Sequence, residues 1–172
     1  RLRNIITDYN PPASWRPRKA DKASAYRTFW KYYLRQVIIK REWVELAGLC
    51  DSILYGSGYD DIELEYRSYC RTYAYEYENI LSYFVFRYFL KGVFDRDVLT
   101  KVKMAIVSTL MIMQCDMAVW KRNGGSLSFT ERVDIAHLYS REVEHSEENF
   151  AALCKLFAHK KVFDEAGLDA LL

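Results

Sequence analysis

The run from Ser128 to Phe150 concentrates the side chains that could do chemistry: His137 and His145, Arg141 and several carboxylates. On a helix, Asp134, His137, Arg141 and Glu144 or His145 follow i, i+3, i+7 and i+10 or i+11, so they share one face. Arg141 offers a planar fork for a carboxylate, and an imidazole such as His145 exchanges a proton near neutral pH. Tyr139 completes this polar face. The competing reading is a solvated surface of i, i+3 and i, i+4 ion pairs.

Other chemistries find less support. Glu142-x-x-His145 has the spacing of carboxylate-bridged di-iron helices, and Asp134-x-x-His137 is a weaker copy. Both pairs lie on one helix, however. His137 and His145 would stand about 12 Å apart along the axis at about 1.5 Å per residue, too far to share an ion. No residues are therefore assigned as metal ligands. There is no Gly-x-Ser-x-Gly, and none of the cysteines carries a local motif. Gly56-Ser57-Gly58 and Asn123-Gly124-Gly125 lack the strand context of a phosphate loop. A Rossmann methyltransferase would need strands and a glycine-rich turn, and neither is evident.

The elements that must position these residues read as helices. Ser128 with Glu131 forms a capping-box pattern after Gly124-Gly125, and Ser146 before Glu147-Glu148 signals a bend or restart. Upstream, Asp21–Lys40 reads as a first helix with Tyr26, Phe29, Trp30, Tyr33 and Val37 inward. Glu42–Tyr55 follows, then a segment from Asp60 or Asp61 through Cys70. Tyr73–Phe94 is apolar nearly all round from Ile80 to Leu90, which predicts a place at the bundle centre. Arg87 within it would need a carboxylate if buried, or would reach solvent on its stem. Asp95–Asn123 is the fifth helix, with a stripe of Val102, Ile106, Thr109, Leu110, Met113, Met117 and Trp120. Its Asp116 could meet Arg87 or Arg141. The four methionines read as core filler. Asn149–Lys161 is the last helix, and Asp164–Leu172 a short tail. The prolines, Pro11, Pro12 and Pro17, lie with Trp15 in residues 1–20, which read as an extended arm or linker. The expectation is an all-α bundle of about six or seven helices over residues 21–172.

Composition narrows the partners. The chain has 172 residues, 51% hydrophobic, with a net charge of +2 from 25 basic and 23 acidic side chains. No long-range field points to nucleic acid or an anionic membrane. The apolar run Met104–Met113 is shorter than the roughly 20 residues of a membrane span. Cys50, Cys70, Cys115 and Cys154 are isolated singles, which suits reduced thiols in a cytoplasmic protein rather than a cluster site. A first residue of Arg1 suggests a piece of a longer chain.

The run Tyr-Ser-Arg-Glu-Val-Glu-His-Ser-Glu-Glu-Asn at 139–149 resembles the C-terminal signature of flagellin lysine-N-methylases. Two further stretches agree with that family: 77–89, Tyr-Glu-Asn-Ile-Leu-Ser-Tyr-Phe-Val-Phe-Arg-Tyr-Phe, and 134–138, Asp-Ile-Ala-His-Leu. The resemblance covers roughly residues 75–157. It implies an enzyme that methylates lysine ε-amines of flagellin, with S-adenosylmethionine as donor. It also implies a cysteine-rich N-terminal part carrying an iron–sulfur cluster, upstream of Arg1, as the domain's partner. Tyr139, Ser140, Arg141, Glu142, Glu144 and His145 stand at signature positions, with Tyr83 and Arg87 from the second stretch.

Three functions follow as expectations. As part of an enzyme, Glu142, Glu144, His145 and Tyr139 would serve catalysis, while Arg141, Arg87 and Tyr83 would hold the donor. As a binding module, the bundle would recognise flagellin or scaffold the cysteine-rich part. As a structural domain, Arg87, Arg141, Glu142 and His145 would form a buried network.

Overall fold

A computed structural model describes residues 21–169 and Leu171, so the arm at 1–20 with Trp15 lies outside the described residues. The first helix, α1, spans Lys22–Tyr33 and begins where Asp21 accepts the Ser24 N–H at 3.1 Å. It is shorter than its periodicity predicts. The Val37, Ile39 and Lys40 N–H groups bond to side chains of Asn149 and Glu142, which draws residues 34–40 out of the helix. Val37 is exposed as a result.

Helix α2 spans Arg41–Ile53, and α3 spans Tyr59–Tyr69. Gly58 starts α3 at φ 105°, a conformation that favours glycine. A single 3₁₀ turn, Cys70–Thr72, leads to α4, Ala74–Asp95. Helix α5, Val98–Arg122, is capped by Asp97. Helix α6, Phe129–Val143, opens on the full capping box of Ser128 and Glu131. Ser146 then caps a separate helix, α7, Glu147–His159. The region after it is no loose tail: a 3₁₀ turn, Lys161–Phe163, precedes the short α8, Glu165–Asp169, and Phe163, Leu168 and Leu171 are buried. The described residues thus form eight α-helices, seven of them longer than ten residues, and no strand.

The central helix is α5, not α4. It packs against α2, α3, α4, α6 and α7, and its buried side chains include Met104, Met111 and Met117. Small buried residues, Ala105, Ser108 and Ala118, let these neighbours approach it closely. Among the described helices α5 alone is long and apolar enough to cross a membrane, but 78% of its apolar window is buried within the bundle. Helix α4 carries bulky aromatics on every side and lies at the edge, turning only Phe84, Tyr88 and Gly92 fully inward. Gly92 sets that contact: a Cβ there would stand 2.9 Å from the Val98 Cα.

Candidate functional site

The polar face foreseen on α6 divides into three environments. The first is internal. Both carboxylate oxygens of Glu142 accept backbone N–H groups, Oε2 from Ile39 at 3.0 Å and Oε1 from Lys40. These amides lead into α2, so Glu142 caps that helix from another element and its charge suits the helix dipole. Asn149 completes the clamp: its Oδ1 accepts the Val37 N–H at 3.0 Å, and its Nδ2 donates to the Val37 and Glu142 carbonyls at 2.8 and 2.7 Å. Tyr139 is wholly buried and donates to Ser108 Oγ at 2.8 Å, with the Tyr33 hydroxyl 2.9 Å away. Burial raises its pKa well above the ordinary phenol value, so Tyr139 stays protonated at neutral pH.

The second environment joins α6 to α4. The Glu144 carboxylate accepts from Arg87 Nε at 2.7 Å, Tyr88 Oη at 2.7 Å, Tyr83 Oη at 3.2 Å and Ser140 Oγ at 2.8 Å. Its side chain is 2% exposed, whereas that of Arg87 is 42% exposed. Arg87 is therefore both paired and solvent-reaching. Three residues singled out in the sequence, Tyr83, Arg87 and Glu144, meet here. Burial, and then the hydrogen bond and charge of Glu144, raise the Tyr88 phenol well above its ordinary value. For Tyr83 burial and then the Glu144 charge act in the same direction.

The third environment is an open cleft of about 610 Å³ between α2 and α6. Asp134, His137 and Arg141 line it from α6, as their i, i+3, i+7 spacing requires. Glu144 is absent from this group. Ten residues of helix place it about 80° round from Asp134, far enough to face α4 instead. Helix α2 and its entry contribute Lys40, Glu42 and Glu45, and Arg122 comes from the end of α5. Leu46, Leu49, Ile135 and Leu138 supply an apolar floor. Arg141 and His137 are exposed and enter no hydrogen bond or ion pair among the described residues. His145 is exposed beyond the helix end and does not line the cleft. Arg87, Arg141, Glu142 and His145 accordingly share no buried network.

Asp116 meets neither Arg87 nor Arg141. Its Oδ2 accepts the Tyr77 hydroxyl at 2.6 Å, and Tyr77 in turn stands 2.6 Å from Tyr66. Burial pushes the Asp116 carboxyl up to about 7, although the Tyr77 bond and the Arg132 charge pull the other way. The four cysteines are free, Cys50 and Cys115 buried and the others half-buried. Among the described residues no three of His, Cys, Asp and Glu converge as metal ligands would.

Sequence reading passed over Lys40, Glu42, Glu45 and Arg122 in the cleft, and Tyr88 beside Glu144, and it left Ser140 at a signature position without a role. The Ser140–Glu144 pair carried an i, i+4 signal on one helix. The cleft residues carried none, because they gather only when α2 lies beside α6.

The described residues define an all-helical domain with an open cleft between α2 and α6 and no strand. The family model for the FliB lysine N-methylase C-terminal domain matches residues 7–170, and the chain belongs to that family. No curated protein and no solved structure matches it.

Proposed function

We propose that this domain serves the transfer of methyl groups from S-adenosylmethionine to lysine ε-amines of flagellin, with the α2–α6 cleft as its site. The observation that carries this reading is the cleft, which combines an unpaired Arg141 with facing carboxylates. Its 610 Å³ lies within the roughly 300–1,000 Å³ of drug-sized ligand sites. The residue types also suit a zwitterionic donor. Arg141, with Lys40 beside it, can grip the carboxylate, and Leu46, Leu49 and Leu138 offer apolar surface. When bound, the donor supplies an electrophilic methyl carbon.

The chain's own task is to present a neutral amine. A lysine ammonium titrates near pH 10.4, so it must give up a proton before its nitrogen can attack. Asp134 and Glu42 can hold the ammonium, and His137 can carry the proton away. These roles fall to cleft residues because Glu142 and Glu144 are committed to internal bonds. His145, Arg87 and Tyr83 line no part of the cleft. An iron–sulfur cluster belongs, in this reading, to the upstream cysteine-rich part.

The test is calorimetric titration of the intact methylase with S-adenosylmethionine, followed by a flagellin methylation assay. Arg141→Ala should abolish donor binding and leave the thermal midpoint in place, while Arg141→Lys should restore part of the affinity. Full activity in Arg141→Ala would sink the proposal. A second reading, a non-catalytic module that binds flagellin or scaffolds its partner domain, is favoured by the saturation of Glu142, Glu144 and Tyr139. It expects flagellin capture without donor affinity.

A further inference from the structure

Helix α4 leaves a large apolar face uncovered. Phe86 is 81% exposed, Leu90 66% and Phe94 89%, and Tyr83, Phe89 and Val93 flank them. Taking about 150–250 Å² for a whole aromatic side chain, the six expose roughly 600–700 Å². That lies at or above the upper end of the largest apolar patch on a typical monomer, about 300–600 Å², and approaches the roughly 800 Å² per partner of a stable complex. The spacing of Tyr83, Phe86, Leu90 and Val93 alternates three and four, the pattern of a two-helix seam. At about 100° per residue, Phe86 and Val93 point directly away from the buried Phe84 and Tyr88.

The charges along α4 are arranged for self-pairing. Exposed Glu78 lies near one end of the helix and exposed Arg96 ends it, and neither has an ion-pair partner among the described residues. Glu78 lies about 80° to one side of Phe86, and the Cα of Arg96, the C-cap at φ 59°, follows the helix on that same side. Their midpoint is Arg87, within two residues of the centre of the apolar stripe. In an antiparallel helix pair about a two-fold axis, residues on the same flank and equidistant from the axis meet. Glu78 of each copy then faces Arg96 of the other. Arg87 falls nearest the axis, where its charge is already balanced by Glu144 at 2.7 Å.

We propose that a second copy of this chain covers the face, forming a symmetric dimer through antiparallel α4 helices. No residue of α4 lines the α2–α6 cleft. Sedimentation equilibrium on the full chain tests it, alongside hydrogen exchange on the natural longer polypeptide. The expected result is a dimer, with Phe86→Glu dissociating it by about tenfold or more, as removal of a central anchor does. Phe86 is largely exposed, so an unchanged circular dichroism spectrum would accompany that loss. Glu78→Arg and Arg96→Glu should each weaken the dimer, and combining them should restore it, because the two-fold axis pairs the swapped charges again. A monomeric chain would overturn the proposal. So would a dimer untouched by Phe86→Glu, or a monomeric longer polypeptide whose α4 amides are protected by its upstream part.

Discussion

The two sides of α6 are made of the same kinds of residue and do opposite work. Inward, Tyr139, Glu142 and Glu144 have their polar atoms engaged by Ser108, two backbone amides and the α4 cluster. Outward, Asp134, His137 and Arg141 border open space and keep their binding capacity. A buried polar group without a partner costs far more than an exposed one, so the inner side must be saturated and the outer side need not be. Within the 139–149 signature, Tyr139, Ser140, Glu142, Glu144 and Asn149 are thus fold-holding, while Arg141 and His145 stay exposed, and the other outward residues, Asp134 and His137, precede it.

Mutations on either side should separate stability from activity. The largest stability loss is expected from Glu142→Ala, which strands the Ile39 and Lys40 amides. It should cost about 2–4 kcal/mol in urea denaturation, with the entry to α2 losing exchange protection first. A mutant of unchanged midpoint would show that the clamp is dispensable. Next comes Asp116. Its folded carboxyl keeps a proton up to about pH 7, whereas an unfolded aspartate releases it near 3.8. The unfolded state therefore binds fewer protons in that window, and stability should fall as pH rises from about 4 to about 7. Asp116→Asn should flatten this slope, as midpoints measured at pH 5 and pH 7.5 would reveal. Tyr139→Phe removes one donor while keeping the ring, so a loss of about 1 kcal/mol is expected in the same assay. The smallest stability effect belongs to the outer side. Arg141→Ala and His137→Ala should stay within about 0.5 kcal/mol of the parent while lowering methylation. An outer mutation that unfolds the domain, or an inner one that spares its midpoint, would erase the contrast.

Local signals were legible. The Ser128–Glu131 capping box and the Ser146 restart lie where short patterns place them, because each depends on residues within one turn. The helical class follows from the same periodicities, and the Asp134–His137–Arg141 alignment follows from helix geometry alone.

What the sequence could not reveal depends on contacts between distant elements. Helix α1 stops at Tyr33 because amides more than a hundred residues away in sequence from Glu142 and Asn149 find their acceptors there. Apolar content marked α4 as central, yet the centre went to α5, whose small residues admit five neighbours while the aromatics of α4 do not. The cleft needs Lys40, Glu42 and Arg122 from elements that periodicity treats separately. The sequence by itself determined the helical class and most helix starts, since those follow from periodicity and caps within a single turn. Only the tertiary structure decided which polar groups are consumed and which remain free. That choice depends on whether a partner from elsewhere in the chain arrives within hydrogen-bond distance.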